Sequence, residues 1–426
     1  MDSGGQSTAR LATKMLELLT ARRFGPLFAV QFLGAFNDNL FKNACIFLVA
    51  FHLRADDPAG AATFATIGTG VFILPFFLFS GVAGEISDAR DKAAIARWVK
   101  VAEIGFMALG AVALAIESEP LCLAVLFLMG VHSAIFGPMK YAILPQHLAA
   151  DELLLGTGLV EGATFVAILL GQIAGGLLPV AVAGPIAIGV ALLGWLASRG
   201  IPAAPPISSA AIEWNPWRAS RRALASAFAT PSLRIATICI SWFWALGAIY
   251  TSQFVPLARN NLGGSEGVAT LFLAAFSIGI AIGSAGVGRL LHGRVSARLG
   301  PWAGLVMAAA GMDLYFAQAG FAGNAGDVAA FLARPAAWRI LADLGILAVA
   351  GGVFSVPLYG ILQTGGEPAE RARAIAANNI VNAGFQVAAV LGIGAALDRG
   401  LGVPAALLGA GLTVLLLVPI LRRLPR

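Results

Sequence analysis

The stretch FGPMKYAIL, residues 136–144, recurs without a gap as FSVPLYGIL, residues 354–362, an offset of 218 residues in a chain of 426. An offset of half the chain marks a unit used twice. Two further matches extend it. GLVEGATFVAILLG (158–171) resembles NNIVNAGFQVAAVLG (378–392) with one residue of slippage, and Leu33-Gly34-Ala35 matches Leu246-Gly247-Ala248 at an offset of 213. The second match sets Asn37, Asp38 and Asn39 beside Tyr250, Thr251 and Ser252.

Composition says what solvent the unit expects. The chain is 58% hydrophobic and 12% charged, holds 51 glycines and has a mean hydropathy of +0.84. That excludes an ordinary water-soluble domain and indicates an integral membrane protein. A crossing of about 30 Å takes about 20 apolar residues. Such runs fall near 24–53, 61–84, 94–116, 121–138, 154–180 and 183–199, then near 232–256, 268–288, 301–320, 338–356, 374–397 and 402–421. The expected fold is all-α, with twelve transmembrane helices in two six-helix pseudo-repeats. Its parts are a cytoplasmic lead-in (1–23), an N-terminal bundle (24–199), a cytoplasmic linker (200–231), a C-terminal bundle (232–421) and a basic tail (422–426). Within the linker, Trp214 to Phe228 is basic and amphipathic. It reads either as a helix lying on the membrane surface or as a plain connection.

Basic residues stay on the cytoplasmic side. With both termini inside, 22 of the 28 lysines and arginines fall in cytoplasmic segments, Arg97 and Lys100 among them. Five lie outside, and Lys42 alone lies within a span. The net charge of +6 is therefore a topology signal and calls for no nucleic-acid partner. Cys45, Cys122 and Cys239 sit in apolar runs and read as core residues, not staples or metal ligands. The first 23 residues lack a signal-peptide pattern. No HExxH, Walker-type loop or Cys-x-x-Cys occurs, so neither cofactor nor metal is expected.

Two six-helix repeats joined by a cytoplasmic linker resemble the major facilitator superfamily of transporters, whose substrates bind between the halves near mid-membrane. The loop after the second run supports the likeness: Gly84, Asp88, Arg90 and Lys92 follow its glycine, aspartate and basic pattern. Gly84 is expected to allow a tight turn, and Asp88 to cap the next helix or pair with a basic residue of the other half. The mirror loop, Gly288 to Arg298, keeps the basic residues without the aspartate.

More specific are QFLGAFNDNLFKNA (31–44), FGPMKYAILPQ (136–146), GLVEGATFVAILLGQIAGG (158–176), SVPLYGILQ (355–363) and AIAANNIVNAG (374–384). Together they resemble the bacterial lysophospholipid transporter family, closest to the transporter portion of fused transporter/acyltransferase proteins. The resemblance implies a monomeric, multi-pass flippase of the bacterial inner membrane. It would carry lysophosphatidylethanolamine-like lipids inward for re-acylation by a separate cytoplasmic acyltransferase. Where that family carries an arginine in the seventh helix, this chain reads AIYTSQF (248–254).

Asp38 and Lys42 stand four apart on one helical face, within reach of an ion pair. Asp38 lies about 21 Å into the membrane at 1.5 Å per residue from Phe24. An ionisable group there costs about 3 kcal/mol and normally faces a cavity or a partner. In the transporter reading Asp38 takes the headgroup amine and Lys42 the phosphate, with Asn37, Asn39 and Asn43 as hydrogen-bond partners. The plainer reading is a self-neutralised pair that pins the first helix. Glu161, Asn378, Asn379 and Asn382 form a second polar set, read as substrate-binding or as plain interhelical hydrogen bonding, and Thr251, Ser252 and Gln253 a third, read as substrate-binding. Lys140 and Tyr141 are read as a headgroup exit or as an interfacial anchor, and His132 as a packed polar residue or as a pH-responsive group. Glu103, Asp313 and Asp343 receive no role.

Two rival functions differ in chemistry. A proton-coupled exporter of amphipathic drugs or metabolites would titrate Asp38 during transport. A membrane acyltransferase would use His52 and Asp57, which fit a His-x4-Asp pattern.

Overall fold

Proline and short polar caps punctuate the apolar runs, and the computed structural model starts its helices at them. It describes residues 3–207, 211–321 and 323–424, with side chains from Ala12 onward except Pro58. Ser208 and Ser209 of the linker, the Arg10 side chain and Arg426 of the tail lie outside the described residues. The bundle helices are α1 (Gly25–Leu48), α2 (Pro58–Ala89), α3 (Lys92–Ala115), α4 (Glu119–Ala142), α5 (Leu153–Leu177), α6 (Val180–Ser198), α7 (Pro231–Pro256), α8 (Glu266–Leu290), α9 (Gly300–Ala319), α10 (Pro335–Thr364), α11 (Arg371–Asp398) and α12 (Val403–Leu412, continued by a 3-10 turn to Leu416). Among the described residues there is no strand beyond an isolated bridge between Gly264 and Gly326. In hydrocarbon a helix satisfies its own backbone.

Asp57 caps α2 through the Gly60 amide at 2.9 Å, Asp91 caps α3 through Ala94 at 2.7 Å, and Thr230 caps α7 through Leu233 at 3.3 Å. Each such cap answers one of the amides a helix start leaves unpaired. α1 and α7, the repeat-related first helices, both end in a π-helical turn, Val49–Leu53 and Leu257–Asn261.

Among the described residues ten helices are long and apolar enough to cross a membrane. α1 and α9 fall short of that hydropathy, α1 because AFNDNLFKN dilutes it and α9 because Asp313 and Gln318 do. Two expectations need correction. α2 runs through Gly84 to Ala89, so Gly84 makes no turn; its missing side chain instead admits α11, since a Cβ would lie 2.8 Å from that of Ala376. Lys100 is no loop cation. It sits more than two turns inside α3 and is fully buried.

In the first six helices α1 packs on α5 and α6, α2 on α4, and α3 on α6. In the last six, α7 packs on α11 and α12, α8 on α10, and α9 on α12, so the repeat of the sequence is a repeat of contacts. The two sets meet where α5 packs on α8 and α2 on α11. Small residues make the approach close: a Cβ at Gly158 would run into the Ser284 carbonyl, and one at Gly162 would lie 3.0 Å from the Ala281 Cα. In lipid such packing is the attraction between helices. Gly171 and Gly175 do the same against α1, and Gly279 and Gly283 against α10.

The linker forms a helix over Pro216–Phe228, capped by Asn215 at 3.1 Å from the Trp217 and Arg218 amides. It bridges the two sets. Ala223 and Ala227 pack on Ala374 and Ala377 of α11, and a Cβ at Gly81 of α2 would meet the Ser220 backbone. Trp214 and Trp217 stay exposed.

Candidate functional site

AFNDNLFKN splits its polar residues over the faces of α1. Asn37 turns inward, donating to Glu103 of α3 at 3.0 Å and to the Ala187 carbonyl of α6 at 3.2 Å. Asn43 donates to the Gln172 carbonyl of α5 at 2.9 Å, and Asn39 back to Ala35 at 2.9 Å. Asn37 and Asn43 fasten α1 into its own set, while Asn39 bonds within α1 itself. Asn37 is therefore no headgroup contact, which corrects its expected role.

Asp38 and Lys42 behave differently. Asp38 Oδ2 accepts from the Ser133 hydroxyl of α4 at 2.6 Å, while its Oδ1 has no partner among the described residues. Lys42 Nζ lies 5.9 Å from the centroid of the Phe72 ring of α2, with no carboxylate within 4 Å among the described residues. Both side chains are half-buried. The expected ion pair is not formed: Ser133 holds one charge and an aromatic face the other. Two opposite charges one helical turn apart thus remain open to a third party.

Lys140, further along α4, also lacks an ion pair within 4 Å among the described residues. Its Nζ lies 4.8 Å from the Tyr141 ring centroid, within electrostatic reach of Glu161 and Asp38. Tyr141 donates to Glu161 Oε1 and stacks on Tyr359 with centroids 4.6 Å apart and planes 15° from parallel. These tyrosines are the two copies of one repeat position, so they meet between the sets. Trp244 donates to the Tyr359 hydroxyl at 2.7 Å, and Ser241 donates to Asn382 Oδ1 at 2.7 Å. Asn378 and Asn379 line the same region with buried amide atoms that have no partner among the described residues.

Below this layer the sets are sealed at the end that carries the basic loops. Asp88 accepts from the Ala372 and Arg373 amides at 2.9 and 3.2 Å and from Arg373 Nε at 3.3 Å. It caps α11 of the opposite set, while Asp91 caps the helix that follows. Glu85 lies 3.7 Å from Arg222 of the linker helix and 3.9 Å from Arg373. Thr157 of α5 donates to Gln363 of α10 at 2.8 Å, and Lys92 is buried while Arg90 stays exposed.

The other expected positions are not gathered here. Thr251 and Ser252 are exposed and return their hydroxyls to the Gly247 and Ile249 carbonyls at 2.8 Å each, and Gln253 is buried against Ser252 at 3.2 Å. Asp57 is taken up by its cap and by Arg54 at 3.8 Å, so the His52–Asp57 pattern builds no dyad. Sequence reasoning missed one cluster, Lys100, Glu103 and His132, in which His132 Nε2 lies 3.1 Å from Glu103 Oε2. Its only signal was a lysine and a glutamate three apart inside an apolar run.

Residues 27–392 match the model of the Major Facilitator Superfamily. The lysophospholipid transporter LplT of Serratia proteamaculans is 29% identical over 378 residues, which cover 85% of each chain. Among solved structures, the human organic anion transporter MFSD10 superposes with a TM-score of 0.77 at 16% identity, covering 94% of this chain and 99% of that one. FucP in its outward conformation superposes with a TM-score of 0.69 at 16% identity, covering 94% and 97%. At such identities the structures speak to the fold alone. With a family match over most of its length and ten helices apolar enough to cross a membrane, this multi-pass membrane protein belongs to the Major Facilitator Superfamily of transporters.

Proposed function

We propose that the protein is a lysophospholipid flippase. Its substrate is a lysophosphatidylethanolamine-like lipid, moved from the outer to the inner leaflet of the bacterial inner membrane. Twelve spans in two six-helix halves, with both termini and the basic loops in the cytoplasm, set the topology. The observation that carries this reading is the pair on α1: Asp38 with a free carboxylate oxygen and Lys42 with no carboxylate partner, one turn apart and both half-buried. A zwitterionic phosphoethanolamine fits them, amine to Asp38 and phosphate to Lys42. Lys140 extends the phosphate path toward the cytoplasm, and Glu161, Asn378, Asn379 and Asn382 line its lower part. The name carried by relatives at 28–29% identity supports the same substrate.

Transport proceeds by alternating access. In the form described, Asp88 on the α11 N-terminus and Tyr141 on Tyr359 hold the cytoplasmic side shut. Release to the inner leaflet requires those contacts to part, and a separate acyltransferase then consumes the product. The test places labelled lysophosphatidylethanolamine in one leaflet of proteoliposomes. Wild type should move it faster than empty liposomes, and Asp38→Ala and Lys42→Ala should each slow it about tenfold, the loss of roughly 1.4 kcal/mol of headgroup interaction. Wild type no faster than the empty control removes the flippase reading. Both variants at wild-type rate remove the site.

A further inference from the structure

The first six helices hold a charged cluster that the transport reading leaves without work. Lys100 and Glu103, one turn apart on α3, form an ion pair with side chains 0% and 1% exposed. His132 of α4 sets Nε2 3.1 Å from Glu103 Oε2, and Asn37 of α1 donates to Glu103 Oε1 at 3.0 Å. Neither ring nitrogen of His132 has a hydrogen-bond partner among the described residues, and the ring stacks 6.2 Å from Phe136. Packing alone does not call for such a cluster, because apolar residues of similar volume serve as well or better. Two short routes join it to Asp38. Asn37 precedes Asp38 in the chain, and Ser133, next to His132, donates to Asp38 Oδ2 at 2.6 Å.

We propose that His132 is a proton-binding site linked to Asp38, so that a cationic headgroup amine arriving at Asp38 expels a proton from the imidazole. The proposal rests on Asp38 being the carboxylate that receives the amine. α3 brings Lys100 and Glu103 to the site, α1 brings Asp38 and, one turn on, Lys42, and α4 brings Lys140. α2 and α11, also packed against this region, carry titratable groups only at their ends, and α6 carries none. Lys42 and Lys140 are half-buried, and water or the lipid phosphate answers their charge.

The inner groups, Asp38, Glu103 and Lys100, sum to one negative charge when the imidazole is neutral. One added cation neutralises them, and a second leaves an uncompensated positive charge in a low-dielectric interior. Proton and ammonium therefore compete for a single place. On displacement an imidazole N–H bond breaks and the proton passes to bulk water.

The experiment adds lipid to the purified protein in phosphatidylcholine nanodiscs, weakly buffered with a pH indicator. With lysophosphatidylethanolamine, wild type should release up to about one proton per lipid bound, and its affinity should rise up to about tenfold per pH unit through the titration. With lysophosphatidylglycerol, which has the phosphate and no amine, release should be absent. His132→Gln should bind lysophosphatidylethanolamine without release and with a flat pH profile. Binding by wild type without release, or equal release with both lipids, overturns the proposal even if His132→Gln does not fold. Undiminished release from folded His132→Gln overturns it too. Wild-type affinity in Asp38→Asn overturns the amine assignment, and the proton linkage with it.

Discussion

At the centre of the first six helices Asn37 donates to Glu103 and to the Ala187 carbonyl of α6; at the matching place in the last six, Tyr250 donates to the Leu407 carbonyl of α12 at 3.2 Å. A Cβ on Gly311 or Gly411 would lie 3.2 or 3.0 Å from the Tyr250 hydroxyl. The two sets share helix order and the link from first helix to last. They differ in what fills the space between: buried charges in one, a tyrosine ring against glycines in the other. The loops repeat the contrast. In the last turn of α2, Asp88 reaches across to cap α11, whereas after α8 the mirror loop has no acid and brings Gly293, at φ +72°, against the Asp151 backbone. The architecture is used twice and this buried charge cluster once.

Removing one partner of a buried ion pair leaves the other uncompensated, so Glu103→Ala should destabilise the protein by about 3–5 kcal/mol in detergent unfolding. A loss below about 1 kcal/mol would make the two cores energetically alike. Asp88→Ala removes a helix cap and an ion pair at once and should weaken the contact between α2 and α11 by up to about 2 kcal/mol. Thiol labelling of a cysteine placed at the buried Ser87 would read this as faster modification than in the otherwise identical protein that keeps Asp88. Tyr250→Phe deletes one hydrogen bond and should cost about 1 kcal/mol. A cost equal to that of Glu103→Ala would erase the contrast from the other side.

The smaller effects lie at the starts of α5 and α11, where Glu152 and Glu370 occupy equivalent repeat positions. Glu152 accepts two hydrogen bonds from Arg23 at 2.6 Å, while Glu370 accepts from Ser226 of the linker helix at 3.0 Å. The Arg23 guanidinium holds the Glu152 carboxyl below its ordinary value of 4.5. That stabilisation is complete above pH ~4.5 and is lost as pH falls through the lower folded value. Being a surface pair, it is worth at most about 1 kcal/mol. The melting difference between wild type and Glu152→Gln should be present at pH 7 and vanish in acid. Arg298→Ala in the mirror loop, which breaks only a local bond to the Leu290 carbonyl at 2.9 Å, should change stability by less than about 0.5 kcal/mol.

Much of this was legible in the chain. The repeat named Tyr141 and Tyr359 as equivalent, and the structure stacks them. The loop pattern named Asp88, although its cap falls on α11 and not on α3. Other residues were read wrongly for a common reason. Lys100 was counted with the loop because a basic residue near a run's start is ordinarily interfacial, yet α3 begins at Lys92 and carries Lys100 inward. Asn37 and Asp38 are neighbours in sequence, but about 100° of helical rotation separates them, enough to send one to α3 and the other to α4.

By itself the sequence determined the solvent, the number of apolar runs and the doubled unit, because hydropathy and repeat period are local sums over the chain. Which polar side chain pairs with which, and that Asp38 and Lys42 are left without each other, was decided only by the tertiary structure. In hydrocarbon every charge seeks the nearest answer in three dimensions, and for Asp38 that answer was a serine 95 residues away.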